Sequence, residues 1–426
     1  MAAGVQVSIE SMAFRGYGVT RVNGQVLFIP YSVRGDTAWI EVIEKKKNYA
    51  IGRLKELIEP SRLRTKPPCP YFGVCGGCQW QHIDHPFHGE LKRGIFEEIL
   101  KRLGKMKEIP SIDVIPSPRP YGYRVRVQLK IKGGRVGYHR ERSHQVVDID
   151  RCPIAHPLIN QIISSLREAS LPRLRLEEIE INVSPEQGKG VLILHPLSID
   201  SGIEHFIKEF LQTHPLLKGV AVMEKKGYTL FGDPNLNFTI PLSRQGENTI
   251  LELRASPGSF FQVNLEQNQA LIRTVLEFSS VNGRERVLDL YAGVGNFTLP
   301  LAISSQEIWA IEESRAAVED ARFNAEKNGI KNCHFLHGRV EDFLKNWDGE
   351  KPDLMILDPP RAGCKTILDQ VARLKPRRIV YVSCDPTTFS RDLRLLSDRD
   401  YHLRKLSLID MFPQSYHMEV VGLLTR

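Results

Sequence analysis

The alternation of apolar and polar positions divides the chain into three stretches with different rhythms. Over roughly the first sixty residues the period is two, as in half-buried strands. The runs are "VQVSIESMAF", "VLFIPY", "TAWIEVIEKKK" and "YAIGRLKELIE". Turn signals at "GYG", "VNGQ" and "VRGD" separate them, predicting a small barrel of roughly five strands. In residues 65–255 a cysteine-bearing loop is followed by "HGELKRGIFEEILKRLGKM", in which Leu91, Ile95, Phe96, Ile99, Leu100 and Leu103 recur at helical spacing. Strand runs then dominate: "YRVRVQLKIK", "RVGYHR", "QVVDID", "LEEIEINVS", "GVLILHP", "GVAVMEK" and "TILELRA". They predict a mostly antiparallel sheet with a few helices.

From residue 285 strand and helix alternate. Strand candidates begin near Glu285, Ile308, Asn332, Asp353, Arg377, Tyr401 and His417, with helices such as "SRAAVEDARFNAEKNG" and "KTILDQVARL" between them. The last two strands are joined only by "MFPQSY", so they should pair antiparallel. This pattern predicts a seven-stranded α/β sheet of Rossmann type, parallel except for one reversed strand, with helices on both faces. The expected division is 1–64, 65–255 and 256–426, and the helix near 86–106 could pack on the last unit.

Composition adds bounds. The chain has 426 residues, 42% of them hydrophobic, enough for two or three packed cores. No run of eighteen apolar residues occurs and "MAAGVQVSIE" lacks the regions of an export signal, so a soluble cytoplasmic protein is expected. Seven cysteines, three of them in one loop, argue against a secreted disulfide framework. With 58 basic and 50 acidic residues the net charge is +8, which fits a polyanionic partner without proving one. Lys45, Lys46 and Lys47 fall where two barrel strands would turn, followed by Arg53, Lys55, Arg62, Arg64 and Lys66. They could be a solvated hairpin tip or a nucleic-acid grip.

The chemistry concentrates at predicted strand ends. "VLDLYAGVGNFTLPLA" is a strand, a glycine turn and a helix, in which Gly293 and Gly295 let a ligand approach the backbone. The following strand, "IWAIEE", supplies Glu312, placed to take a ribose hydroxyl. The turn has no third glycine and no basic residue near it, so a nucleoside cofactor without phosphate fits, which means S-adenosylmethionine. "LMILDPPRAG" places Asp358 at the end of the fourth strand, and "RRIVYVSCDPTTFSRDL" places Cys384 at the end of the fifth. "DMFPQSYHMEVV" delivers Glu419 at the start of the last.

These blocks, with "SFFQVN" and "AIEES", match in order those of the RNA 5-methyluridine methyltransferases. The chain closely resembles that family over essentially its whole length, and its first unit looks like the TRAM domain of many members. The resemblance implies transfer of a methyl group from S-adenosylmethionine to C5 of a uridine in RNA, with 23S rRNA ahead of tRNA as target. It implies Cys384 as nucleophile and Glu419 as proton acceptor, with Gln262, Tyr291, Gly293, Asn296, Glu312 and Asp358 around the cofactor. The chain departs from the pattern at Arg339, which stands where a small polar or acidic residue often meets the adenine. The residue types suit the chemistry: uracil C5 becomes nucleophilic only when a thiolate adds to C6, and a base must later remove the C5 hydrogen. Cys333 and Cys364 read as small core residues.

Rival readings are an amino-group methyltransferase, a cytosine-C5 enzyme and an RNA-binding factor with an inactive fold. Arg361, following Pro360 where the first rival would carry an aromatic residue, counts against it. Intact Cys384 and Glu419 count against decay.

"CPYFGVCGGC" brings Cys69, Cys75 and Cys78 together at metal-ligand spacing. The family resemblance adds Cys152, in "DRCPIAHPL", as fourth ligand and implies a [4Fe–4S] cluster, although spacing alone suits zinc equally. With four cysteines sufficient, His82, His85 and His88 read as surface or RNA-facing residues. A monomer with RNA as partner and no membrane contact completes the expectation.

Overall fold

The computed structural model describes residues 4–169, 175–198, 201–225, 227–244 and 247–426. Near the N-terminus, Val5–Ser8 pairs with Thr37–Lys45, which pairs with Tyr49–Glu59; that strand runs parallel to Gln25–Ile29, followed by Tyr17–Val22 and Ser11–Ala13. Ser11–Ala13 lies two residues beyond Val5–Ser8, so the pairing returns to the segment where it began. Val7, Leu27, Ile29, Ala38 and Ile40 fill the interior from alternate positions. The strand Tyr17–Val22 lay partly inside a stretch read as a turn, because of "GYG". Gly18 is there for close approach: a Cβ would meet the Ser32 hydroxyl at 2.1 Å.

The second sheet runs in the order Val146–Asp148, Arg135–His139, Arg126–Lys132, Leu176–Ser184, Lys189–Pro196, Leu217–Glu224, Gly227–Gly232. All neighbours are antiparallel except Lys189–Pro196 and Leu217–Glu224. A parallel pair needs a crossover, which the helix Ser201–Thr213 supplies. The helix Pro157–Glu168 buries Ile159, Ile162, Ile163 and Leu166 in the same core. A separate hairpin, Leu236–Arg244 with Glu247–Ala255, leads into the last unit.

The third sheet has the order Cys333–His337, Glu307–Glu312, Arg286–Leu290, Leu354–Leu357, Arg378–Ser383, Glu419–Thr425, His402–Ile409, Ile112–Ile115. The seven anticipated strands begin within two residues of their predicted starts, and Glu419–Thr425 is the reversed one. The eighth, Ile112–Ile115, comes from the stretch assigned to the middle unit and runs parallel to His402–Ile409. With it comes the helix His88–Arg102, whose Phe96 ring lies 6.0 Å from that of Phe389 in the helix Pro386–Ser397. Leu103 is not on the buried face: the helix ends at Arg102 and Leu103, its C-cap, is 38% exposed. The helix Leu265–Ser279 covers the opposite face of the sheet with Leu271, Ile272 and Val275.

Candidate active site

The strand order reverses between Glu307–Glu312 and Leu354–Leu357, which flank Arg286–Leu290. The crevice outside the carboxyl ends of parallel strands at such a point is where these sheets bind ligands. Gly293 and Gly295 have φ of 56° and 92°, the left-handed region that glycine enters freely. A Cβ on Gly293 would meet nothing within 4 Å, so its bare Cα faces open space. Glu312 accepts hydrogen bonds from the Gly293 N–H at 3.0 Å and the Ser314 N–H at 2.7 Å, locking the turn to the next strand. Gln262, Tyr291, Gly293, Asn296 and Asp358 line one cavity, with Phe260 exposed in its wall. The Asn296 amide exchanges two hydrogen bonds with that of Asn268, at 2.8 and 3.0 Å. Asn268 carried no signal in the sequence, since only packing of its helix brings it here. Arg339 caps the helix Val340–Lys345 with its side chain 60% exposed and turned to Glu341, outside the cavity lining.

Three carboxyl groups meet beside the turn. Burial pushes Asp289 up to about 7, and the nearby charge of Glu312 adds to it, against a hydrogen bond from Thr298. Burial also raises Asp358 to about 7, with Asp289 and Glu312 adding to the shift. Asp289 Oδ1 has no hydrogen-bond partner. Of the three only Asp358 lines the cavity, and a buried carboxyl there suits a cationic ligand. A sulfonium-bearing nucleoside fits that donor set and the open face of Gly293.

Cys384 follows the strand Arg378–Ser383, Asp358 follows Leu354–Leu357, and Glu419 opens the reversed strand, so three distant segments converge. Burial pushes the Cys384 thiol up to about 12; the charges of Glu419 and Asp358 add to this, and the nearby Arg361 guanidinium opposes it. Glu419 is 3% exposed and held well above the carboxylate range by burial and then by Asp358. In the sequence Arg361 speaks only against an amino-group methyltransferase. Its position three residues beyond a strand-end aspartate was the signal that it would reach the crevice.

Cys69, Cys75, Cys78 and Cys152 line a second cavity that extends to Arg361 and His417. Burial raises all four thiols, Cys75 to about 11. Cys333 and Cys364 stand apart among core side chains. The histidines of "HIDHPFH" are not surface groups. His82 and His88 are 3% and 0% exposed, and His88 Nε2 is bonded to the Ile83 carbonyl at 3.1 Å. They are covered because this segment threads under the first sheet and onto the third. His85, His88 and Asp410 bring ligand atoms within 4.8 Å of one another. The Lys92 ammonium on the same carboxylate, 2.6 Å away, already neutralises it, and a divalent ion would leave a buried excess of positive charge.

Fold and site together define a class I, S-adenosylmethionine-dependent methyltransferase. The family model described as tRNA (Uracil-5-)-methyltransferase matches residues 92–426. An Aquifex aeolicus protein named as an uncharacterized RNA methyltransferase is 35% identical over 427 residues, covering 99% of this chain and 98% of its own. The 23S rRNA (uracil(1939)-C(5))-methyltransferase RlmD of Klebsiella pneumoniae is 32% identical over 433 residues, covering 99% and 96%. The crystal structure of the Pyrococcus abyssi tRNA (uracil-54, C5)-methyltransferase with S-adenosyl-L-homocysteine superposes with a TM-score of 0.76 at 26% identity, covering 99% of both chains. This chain belongs to the RNA uracil-C5 methyltransferase family and is an S-adenosylmethionine-dependent enzyme of that activity.

Proposed function

We propose that the enzyme methylates a specific uridine of 23S rRNA through a covalent bond between Cys384 and C6 of the base, with Glu419 removing the C5 proton. The observation that carries this reading is the convergence of Cys384, Glu419, Asp358 and Arg361 at one end of the sheet. Gln262, Tyr291, Gly293, Asn296, Glu312 and Asp358 would hold S-adenosylmethionine, which supplies an electrophilic methyl group. The Cys384 thiolate bonds to C6 and drives the C5–C6 π pair onto the ring as an enolate, making C5 nucleophilic. Arg361 lowers the cost of that thiolate. Once C5 carries both methyl and hydrogen, Glu419 takes the proton, the C5–C6 double bond re-forms, and the Cys384–C6 bond breaks. A buried carboxylate with a raised pKa is a stronger base than a solvated one, which suits this step.

The first unit is assigned as a TRAM-like barrel that grips RNA. Lys46 stands 53% exposed on its hairpin tip, paired with Glu44. The proposed division is 1–64 for this barrel, 65–255 for the unit bearing the cysteine loop, and 256–426 for the methyltransferase. Helix His88–Arg102 and strand Ile112–Ile115 pack on the methyltransferase unit. The four cysteines are assigned a [4Fe–4S] cluster. The support for this is that all four line one cavity and that all-cysteine ligation suits such a cluster. Seven unpaired cysteines support a reducing cytoplasm, and among the described residues no helix is long and apolar enough to cross a membrane. A monomer is proposed. The 23S rRNA target is favoured because the Klebsiella relative, with higher identity than the Pyrococcus enzyme, acts there.

The test is trapping. Glu419→Gln should add to RNA and transfer the methyl group but stall before elimination, giving a slow band on a denaturing gel that carries labelled methyl. Cys384→Ala, Glu419→Gln should show none. Normal turnover by Glu419→Gln would remove Glu419 from its role. Mapping 5-methyluridine in RNA from a deletion strain identifies the target.

A further inference from the structure

Lys92 is an anomaly in the helix His88–Arg102. It is 0% exposed, in a stretch otherwise committed to packing. Its ammonium has three protons to donate, and all three go to one short segment: Asp410 Oδ1 at 2.6 Å, the His417 carbonyl at 2.6 Å and the Phe412 carbonyl at 3.2 Å. Those acceptors span the connection between His402–Ile409 and Glu419–Thr425. His417 is two residues before Glu419.

A buried ion pair is weak evidence for stability, since apolar residues of similar volume often serve as well. A lysine offers what they cannot: three directed donors that fix both ends of a loop. The loop needs them, because most of its carbonyls are met from outside. Tyr123 Oη donates to the Pro413 carbonyl at 2.9 Å, and the Gln79 and Trp80 N–H groups donate to Gln414, at 3.1 and 3.0 Å. Asn264 Nδ2 donates to the Met411 carbonyl at 3.2 Å. Burial would push Asp410 up, yet Lys92 and its neighbours hold it down to about 2, so this acceptor stays ionised at working pH.

We propose that Lys92 is a positioning residue for the proton-removal step: its three hydrogen bonds to Asp410, Phe412 and His417 set where Glu419 stands relative to C5 of the bound uridine. This rests on the reading of Glu419 as the base. A base displaced by a fraction of an ångström loses rate in the step it serves, while thiolate addition and methyl transfer, which use other segments, proceed.

The experiment is single-turnover methylation by Lys92→Met with methyl-labelled S-adenosylmethionine, followed on denaturing gels. Methyl transfer should proceed, and release of methylated RNA should slow about 10–100-fold, so the covalent adduct accumulates. Deuterium at C5 of the target uridine should slow release more in the variant than in the wild type. A merely structural role would lower the fraction of active enzyme and leave the ratio of methyl transfer to release, and the isotope effect, at wild-type values; that result overturns the proposal. Lys92→Gln, which keeps two N–H donors on a neutral group, should show the same shift at smaller amplitude, and its failure to fold would overturn the proposal by making the residue a stability element first. Glu419→Gln run alongside separates the two readings. Normal turnover there removes the base itself, whereas a stalled Glu419→Gln with wild-type partition in Lys92→Met removes only the role of Lys92.

Discussion

Asp289→Asn tests the burial that raises the carboxyls around the glycine turn. Asp289 is 0% exposed, and one of its oxygens has no partner. Its carboxyl rises from 3.8 to about 7 because burial, and then Glu312, disfavour the charge. At about 1.4 kcal/mol per pH unit, that rise corresponds to about 4 kcal/mol. The sign follows from the direction: a folded-state pKa above the unfolded value leaves stability intact below pH 3.8 and removes it progressively as pH climbs to 7. The wild type should therefore lose about 4 kcal/mol relative to the variant across that window. The variant loses nothing there but carries a constant cost of about 1–3 kcal/mol for an amide N–H₂ without a partner. Differential scanning calorimetry of both proteins from pH 4 to pH 8 reads the effect. For a unit of this size about 4 kcal/mol moves the midpoint by on the order of 10 °C, so the wild-type-minus-variant difference should fall by that amount as pH rises. A midpoint difference that stays constant over the whole range would refute the reasoning, because it would mean that Asp289 titrates in the folded protein as it does in the unfolded chain.

Burial also governs Cys384: iodoacetamide labelling of its peptide, read by mass spectrometry, should be slow at pH 7 and rise toward the thiol's value of about 12. Arg361→Gln should slow labelling further, and a plateau below pH 9 in the wild type would contradict the placement of the thiol. Protein purified without oxygen should be brown with about four irons per chain. Cys152→Ser should lose most of that iron, and a colourless protein with stoichiometric zinc would refute the cluster. Replacing Lys45, Lys46 and Lys47 together by Ala should raise KM for RNA and flatten its salt dependence while leaving S-adenosylmethionine affinity unchanged. Unchanged RNA affinity would remove the barrel from the interface. Phe96→Ala should cost about 3–5 kcal/mol, read by calorimetry, because its ring is fully buried between the helices.

Local rules reached a long way in this protein. The strand starts of the last unit were legible because parallel strands buried on both faces read as apolar runs with helical spacing between them. Asp358, Cys384 and Glu419 were legible because each sits at a strand end, and strand ends at one edge of such a sheet must share a crevice. The glycine turn announced itself through a backbone conformation that glycine enters freely.

What the chain could not disclose locally is which distant groups would be neighbours. "IDVI" is too short to name its sheet, and only packing of the helix His88–Arg102 carries it to the edge beside His402–Ile409. The three histidines and Lys92 look polar in sequence, yet His82, His88 and Lys92 are buried because two layers close over their segment. Leu103 looks like core and is exposed because its helix ends one residue earlier. The Arg361 charge comes to act on Cys384 only when the fourth and fifth strands lie side by side. A residue's type and spacing are local properties. Its burial, its pKa and the loop it braces depend on groups tens or hundreds of residues away, as the sequence separation of 318 from Lys92 to Asp410 makes plain.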